Sequence, residues 1–210
     1  MPRLLLALEF LFMFIGAPLL IFYGILPNLP IPYLLVGAFA AFFVLRQDPS
    51  FDFSQLFSAR GIVSNLPVLL LRDAVCLALL GLGVRLFAPQ LLFSLVRHAP
   101  GFWALVIVLY PLVSVYPQEL FYRAFFFHRY QPLFGSEWTL IFANACAFGF
   151  VHIIFGNWLG VGLCVVGGLL FALTYQHSDS LLLTCIDHAL FGNFIFTVGL
   201  GHFFYRGSRL

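Results

Sequence analysis

Three short stretches put groups capable of chemistry into a chain that is otherwise almost free of polarity. "YPQELFYRAFFFHRY" (116–130) carries Gln118, Glu119 and Arg123, "AFGFVHIIFGN" (147–157) carries His152, and "CIDHALFGNFIF" (185–196) carries Asp187, His188 and Asn193. An imidazole or a carboxylate can take a proton from water, and imidazole, amide or guanidinium donors can stabilise the anion that forms when water adds to a carbonyl. Taken singly, each group has an ordinary explanation. Glu119 and Arg123 are four apart, face each other on a helix and can simply pair. A lone His on an apolar helix is usually a satisfied core residue, and Asp187, His188 and Asn193 could serve packing with local hydrogen bonds. An ionised group costs about 2.5–3.5 kcal/mol at the centre of a membrane helix, so three such groups at similar depth call for partners or a purpose. Bundles build catalytic and ligand sites in this way, from side chains on facing helices.

The elements that must position these groups follow from composition. Of 210 residues, 62% are hydrophobic and 9% charged, with a mean hydropathy of +1.04, whereas soluble chains carry about a quarter charged residues. Apolar runs of helical length recur along the whole chain and strand-like alternation is absent, so the fold class is all-α, a polytopic integral membrane helix bundle of about eight transmembrane helices. The expected spans are 4–26, 31–46, 65–88, 100–116, 138–155, 158–176 and 181–204, with 118–134 as a shorter, more polar eighth helix that Pro117 begins. The first run ends without a small-residue cleavage site and reads as a span, not a signal peptide. With no repeat, low-complexity tract or long linker, residues 1–210 form a single membrane domain whose motifs fall in 100–205.

Arg3, Arg46 and Arg60, set against the uncharged "PNLPIP" turn, place the N-terminus on the cytoplasmic side, and Arg206 and Arg209 do the same for the C-terminus. Arg97, on an expected outer loop, dissents. An even number of spans follows, and a chain without extramembrane domains fits a bacterial inner membrane. A net charge of +2 with no Lys offers no surface for nucleic acid, while lipid head groups remain as partners. Cys76, Cys146, Cys164 and Cys185 lie in apolar segments without C-x-x-C spacing and read as small core residues. Gly167 and Gly168 suit close helix packing.

The ordered motifs resemble those of the CAAX protease and bacteriocin-processing family of intramembrane endopeptidases, which includes abortive-infection proteins. Its pattern is E-E-x-x-x-R, then F-x-x-x-H, then H-x-x-x-N or H-x-x-x-D, on separate helices of an eight-helix bundle. "QELFYR", "FGFVH" and "HALFGN" take these places here. The sequence departs twice from the pattern: Gln118 stands at the first carboxylate, and Gly192 stands four residues after His188, with Asn193 one later. A one-residue π-bulge at Gly192 would restore the alignment of Asn193.

The resemblance implies amide hydrolysis in a water-filled cavity. His152 with Glu119 would position or activate water, His188 and Asn193 would hold the oxyanion, and Arg123 would hold Glu119. The implied substrate is a membrane-associated peptide or protein, in a prenylated tail or a leader peptide. The cofactor is unknown. A zinc site built on His152, His188 and a carboxylate is an alternative, although the sequence has no H-E-x-x-H and requires no metal. Two rival functions stay open: a catalytically impaired family member acting as a membrane-protein binding partner, which the loss of the first carboxylate favours, and a small transporter.

Overall fold

The computed structural model describes residues 2–59 and 61–204, so Arg60, Arg206 and Arg209, on which the orientation partly rests, lie outside the described residues. Helices α1 (Arg3–Phe22), α2 (Pro30–Gln47) and α3 (Ile62–Phe87) lead to a short connecting helix, α4 (Ser94–His98). Then follow α5 (Pro100–Leu133), α6 (Glu137–Phe155), α7 (Trp158–Ser178) and α8 (Leu181–Val198). Seven of these, all but α4, are long and apolar enough to cross a membrane, and no strand occurs among the described residues. The protein is an integral membrane helix bundle, as its composition requires.

The expected spans 100–116 and 118–134 are one rod. Pro117 does not begin a helix; it is buried inside α5, and its surroundings explain how. Pro lacks the N–H of the i→i−4 bond and its ring crowds the carbonyl four residues back. A wide π turn, Pro111–Val115, lies two residues before Pro117, with the Tyr116 N–H bonded to the Pro111 carbonyl. α1 repeats the device: the π turn Phe12–Gly16, with Ala17 N–H on Phe12 C=O, precedes Pro18. In both helices the wider turn makes room where a regular one would clash, and the chain continues as a helix. A third π turn, Leu120–Phe125, follows directly on Glu119.

Fusing two expected helices changes the topology. Arg3 bonds the Leu133 carbonyl, His128 meets Asp48, and Ser180 bonds the Ser58 carbonyl, so these segments share one end of the bundle. At the other end Asn28 bonds the Ile154 carbonyl and Asn157 the Phe203 carbonyl. Among the described residues seven helices are of spanning length where eight were expected, and α8 and Phe204 finish at the end opposite Arg3.

Inside lipid the hydrophobic effect does not drive helices together, so association rests on close packing and aromatic contacts. Phe10 and Phe14 of α1 meet Phe126 and Tyr130 of α5 with ring centroids 5.0–5.7 Å apart, mostly edge to face, a geometry worth about 0.5–1.5 kcal/mol per pair. Between α6 and α7, a Cβ on Gly149 would lie 2.2 Å from the Val165 side chain, and one on Gly168 would lie 3.2 Å from the Ala145 backbone. At Gly149 any side chain would force the helices apart and at Gly168 it would crowd them, and this close approach brings the His152-bearing helix against its neighbour. Val36, Val63 and Phe87, exposed by 70–88%, face outward as a lipid-facing surface requires.

Candidate active site

Glu119 and Arg123 are both fully buried, with Arg123 Nε 3.2 Å from Glu119 Oε2. The guanidinium lies 4.8 Å from the Phe148 ring centroid and 5.8 Å from that of Phe171, and it approaches the Gly168 carbonyl at 3.5 Å. Aromatic faces and a carbonyl thus replace part of the hydration that the cation gives up. Asn144, also fully buried, donates to the Tyr122 carbonyl and so serves a backbone oxygen within the wide turn after Glu119. Paired with a guanidinium, Glu119 is an anion, and its other oxygen, Oε1, is 2.7 Å from His188 Nδ1.

That contact decides the His188 ring. A carboxylate only accepts, so Nδ1 carries the proton donated to Glu119. The ring is stacked on Phe171 at 4.5 Å and 18°, and it meets Phe148 edge-on. Nε2 is 3.0 Å from the hydroxyl of Tyr110, in the first third of α5. Glu119, His188 and Tyr110 therefore form a chain of hydrogen bonds that runs from a buried ion pair to a cavity wall.

The cavity has a volume of about 1220 Å³ and its wall is chiefly apolar; Tyr110, Ser114, Gln118, His152 and His188 supply polar atoms. Its lining reaches Asn28 and Phe204, at the end of the bundle opposite Arg3. Its rim includes Val36 of α2, Leu79 of α3 and Leu105 of α5, each more than half exposed on the lipid-facing surface. His152 sits at the last turn of α6, where Gly156 at φ 77° ends the helical run. Its Nδ1 lies 2.8 Å from the Phe148 carbonyl. A carbonyl cannot donate, so Nδ1 bears the proton and Nε2 of the neutral ring is a proton acceptor.

The structure separates residues that the sequence set together. Gln118 lines the cavity, donating to Ser114 Oγ at 2.7 Å, while Glu119 is sealed behind the wall with its oxygens on His188 and Arg123. Glu119 thus stands with His188, not with His152. Asn193 is not brought to the cavity: α8 is a regular α-helix through Gly192, and the Asn193 amide donates to the Ile107 carbonyl at 3.3 Å. The π-bulge expected at Gly192 is absent, and the irregular turns lie in α5 instead. Asn157 caps α7 through the Gly160 N–H at 2.6 Å. Asp187 faces away from His188 into a second cluster, where Arg72 meets its Oδ1 at 2.7 Å and Thr174 donates to its Oδ2 at 2.6 Å. Arg72 is also 2.7 Å from Asp73 Oδ1.

Tyr110, Arg72 and Asp73 escaped the sequence reading because each stands in an apolar run outside any motif. Gly192, a residue without a side chain where the pattern has an amide or carboxylate, was the one signal that another element fills that place. Among the described residues no group of three or more His, Cys, Asp or Glu could hold a metal ion. Both ring nitrogens of His188 are engaged by Glu119 and Tyr110, so this donor set does not fit a zinc site on His152 and His188.

These features define a polytopic membrane protein with a buried polar site against a large cavity. Residues 99–195 match the family model described as Type II CAAX prenyl endopeptidase Rce1-like. The match covers the segment that holds all three motifs and is consistent with the CAAX protease and bacteriocin-processing family, a family of proteases. No curated protein and no solved structure matches the chain.

Proposed function

We propose that the protein is an intramembrane endopeptidase that hydrolyses a peptide bond near the membrane surface. The observation that carries this reading is the pair of cavity-lining imidazoles, each fixed through Nδ1–H to a different acceptor. His152, tied through Nδ1 to a carbonyl, presents an acceptor, and His188, tied through Nδ1 to Glu119, sits at the end of an anion–cation pair.

In the reaction, His152 Nε2 takes a proton from water as its oxygen adds to the scissile carbonyl, and the displaced electron pair becomes an oxyanion. His152 then returns the proton to the leaving amine. A positioned base of this kind contributes about 10²–10⁴-fold. His188 belongs to the oxyanion side, Glu119 holds its Nδ1–H and its orientation, and Arg123 holds Glu119. Gln118, on the cavity wall, orients water or the substrate amide through its own amide. No step passes through a metal, and a chelator leaves the rate unchanged.

The apolar cavity with its lipid-facing rim supports a membrane-associated peptide or protein substrate, with a prenylated tail among the candidates, and lipids as the surrounding partners. Arg3 and Arg46 support a cytoplasmic N-terminal end. With the topology found here, that arrangement turns the cavity's Asn28–Phe204 end to the outer side. The wholly helical membrane architecture supports residence in a bacterial inner membrane.

The test is cleavage of a mixed library of prenylated and unmodified peptides by protein purified in lipid, with His152→Ala as the matched control. Cleavage by the wild type and loss of at least about 10²-fold in the variant are expected. Equal silence from both, with folding verified, would overturn the reading in favour of a membrane-protein binding partner. Gln118→Glu adds a carboxylate to the cavity wall and raises the rate about tenfold if base strength limits turnover.

A further inference from the structure

Four residues after His188, one helical turn on, the chain has Gly192, and that position is not empty space. A Cβ built there would lie 2.2 Å from Tyr110 Cε1, 2.5 Å from its hydroxyl oxygen and 2.6 Å from Cζ. The Tyr110 phenol therefore occupies the volume that a side chain at 192 would fill. Its hydroxyl is 3.0 Å from His188 Nε2, and the residue lines the cavity that His152 also lines. Asn193 cannot supply a polar group at this place, because its amide is turned to the Ile107 carbonyl.

We infer that Tyr110 is a further catalytic residue, whose hydroxyl donates to the oxyanion in the place where the three-motif pattern has a side chain one turn after the second His. The inference rests on the endopeptidase reading above. A hydroxyl has one proton, so Tyr110 can point it at the substrate only when His188 Nε2 is the donor in the bond between them. That state is the imidazolium, with Nδ1–H on the Glu119 carboxylate and Nε2–H on the Tyr110 oxygen. With Glu119 negative and Arg123 and His188 positive, the cluster then presents net positive charge behind the hydroxyl, which suits an anion forming on the cavity side. No bond to Tyr110 is made or broken: it lends a hydrogen bond while the oxyanion exists and takes it back when the carbonyl re-forms. A side chain at 192 and the Tyr110 ring in this position exclude each other.

The experiment compares cleavage by the wild type, His152→Ala, Tyr110→Phe, Tyr110→Ala and the double variant Tyr110→Ala/Gly192→Asn in lipid, with unfolding temperatures as the check on folding. Phe keeps the ring and its packing, so a fall in kcat on the order of 10²-fold with little change in KM is expected. The double variant places an amide in the vacated volume, and its kcat should exceed that of Tyr110→Ala about tenfold. A purely structural Tyr110 would not be rescued in this way, because Asn cannot replace the ring's packing. If the wild type cleaves, His152→Ala does not, and Tyr110→Phe keeps kcat within about threefold, the proposal falls while the endopeptidase reading stands. Failure of the double variant to exceed Tyr110→Ala likewise overturns it. A wild type as silent as His152→Ala removes the endopeptidase reading, and the proposal with it.

Discussion

Two ionic clusters share α8, and adjacent residues serve them. His188 faces Glu119, Arg123 and Tyr110, and Asp187 faces Arg72, Asp73 and Thr174. Both join carboxylate to guanidinium within the membrane-spanning part of the bundle. In the Asp187 cluster two carboxylates and a hydroxyl converge on one guanidinium, no member lines the large cavity, and the product is a tie between α3, α7 and α8. In the His188 cluster one carboxylate is shared between a guanidinium and an imidazole, and hydrogen bonding continues through the ring to a hydroxyl on the cavity wall. Burying charge is therefore not in itself a mark of function. What distinguishes the second cluster is an imidazole with one nitrogen fixed by an anion and the other joined to a hydroxyl on the wall of a space large enough for substrate.

The contrast can be broken most forcefully at Arg123. Arg123→Met leaves buried Glu119 with only the His188 ring as partner, and removing one partner of a buried ion pair costs about 3–5 kcal/mol. Denaturant unfolding in detergent should show that loss, and cleavage should disappear with it. Asp187→Asn is the matched change in the other cluster. Arg72 keeps Asp73 as counter-ion, so the loss is smaller, roughly 1.5–3 kcal/mol for a hydrogen bond to a charged group, and kcat stays within about threefold. A fall in kcat as deep as that of Arg123→Met would show that the clusters act as one unit.

Gly192→Ala sharpens the comparison on the cavity side. Its methyl meets the Tyr110 ring, while Gly83→Ala on α3 meets nothing within 4 Å. Overpacking costs about 1–3 kcal/mol, so only the first variant should lose stability and turnover.

The smallest effect belongs to the exposed bridge between Asp48 and His128, outside both clusters. The Ser50 hydroxyl, then the His128 ring, then the Ser50 amide hold the Asp48 carboxyl below its ordinary range. A lowered folded-state pKa stabilises the fold above the ordinary carboxylate value of about 4 and the contribution is lost as pH falls through the acid range. Asp48→Asn should therefore lower the unfolding temperature slightly at neutral pH, and the two proteins should converge on acidification.

The helical membrane class was legible because apolar runs of spanning length leave no alternative for the backbone in lipid. The motif stretches were legible because polar residues are few, and the pairing of Glu119 with Arg123 follows from their spacing. The continuity of α5 was not: Pro117 ordinarily marks a helix start, and its accommodation depends on a wide turn five residues long just before it. The place of Asn193 was not legible either, since a regular α8 turns it toward Ile107.

Composition alone determined that the chain is a bundle of membrane helices, and residue order determined which helices carry Gln118, Glu119, Arg123, His152 and His188. Only the tertiary structure decided that Glu119 serves His188 and not His152, that Gln118 faces the cavity, and that Tyr110 fills the place left by Gly192. The physical reason is that neighbours on one helix point about 100° apart. Which of Gln118 and Glu119, or of Asp187 and His188, meets a cavity is set by how the packed helices rotate against one another, and that rotation depends on every contact in the bundle at once.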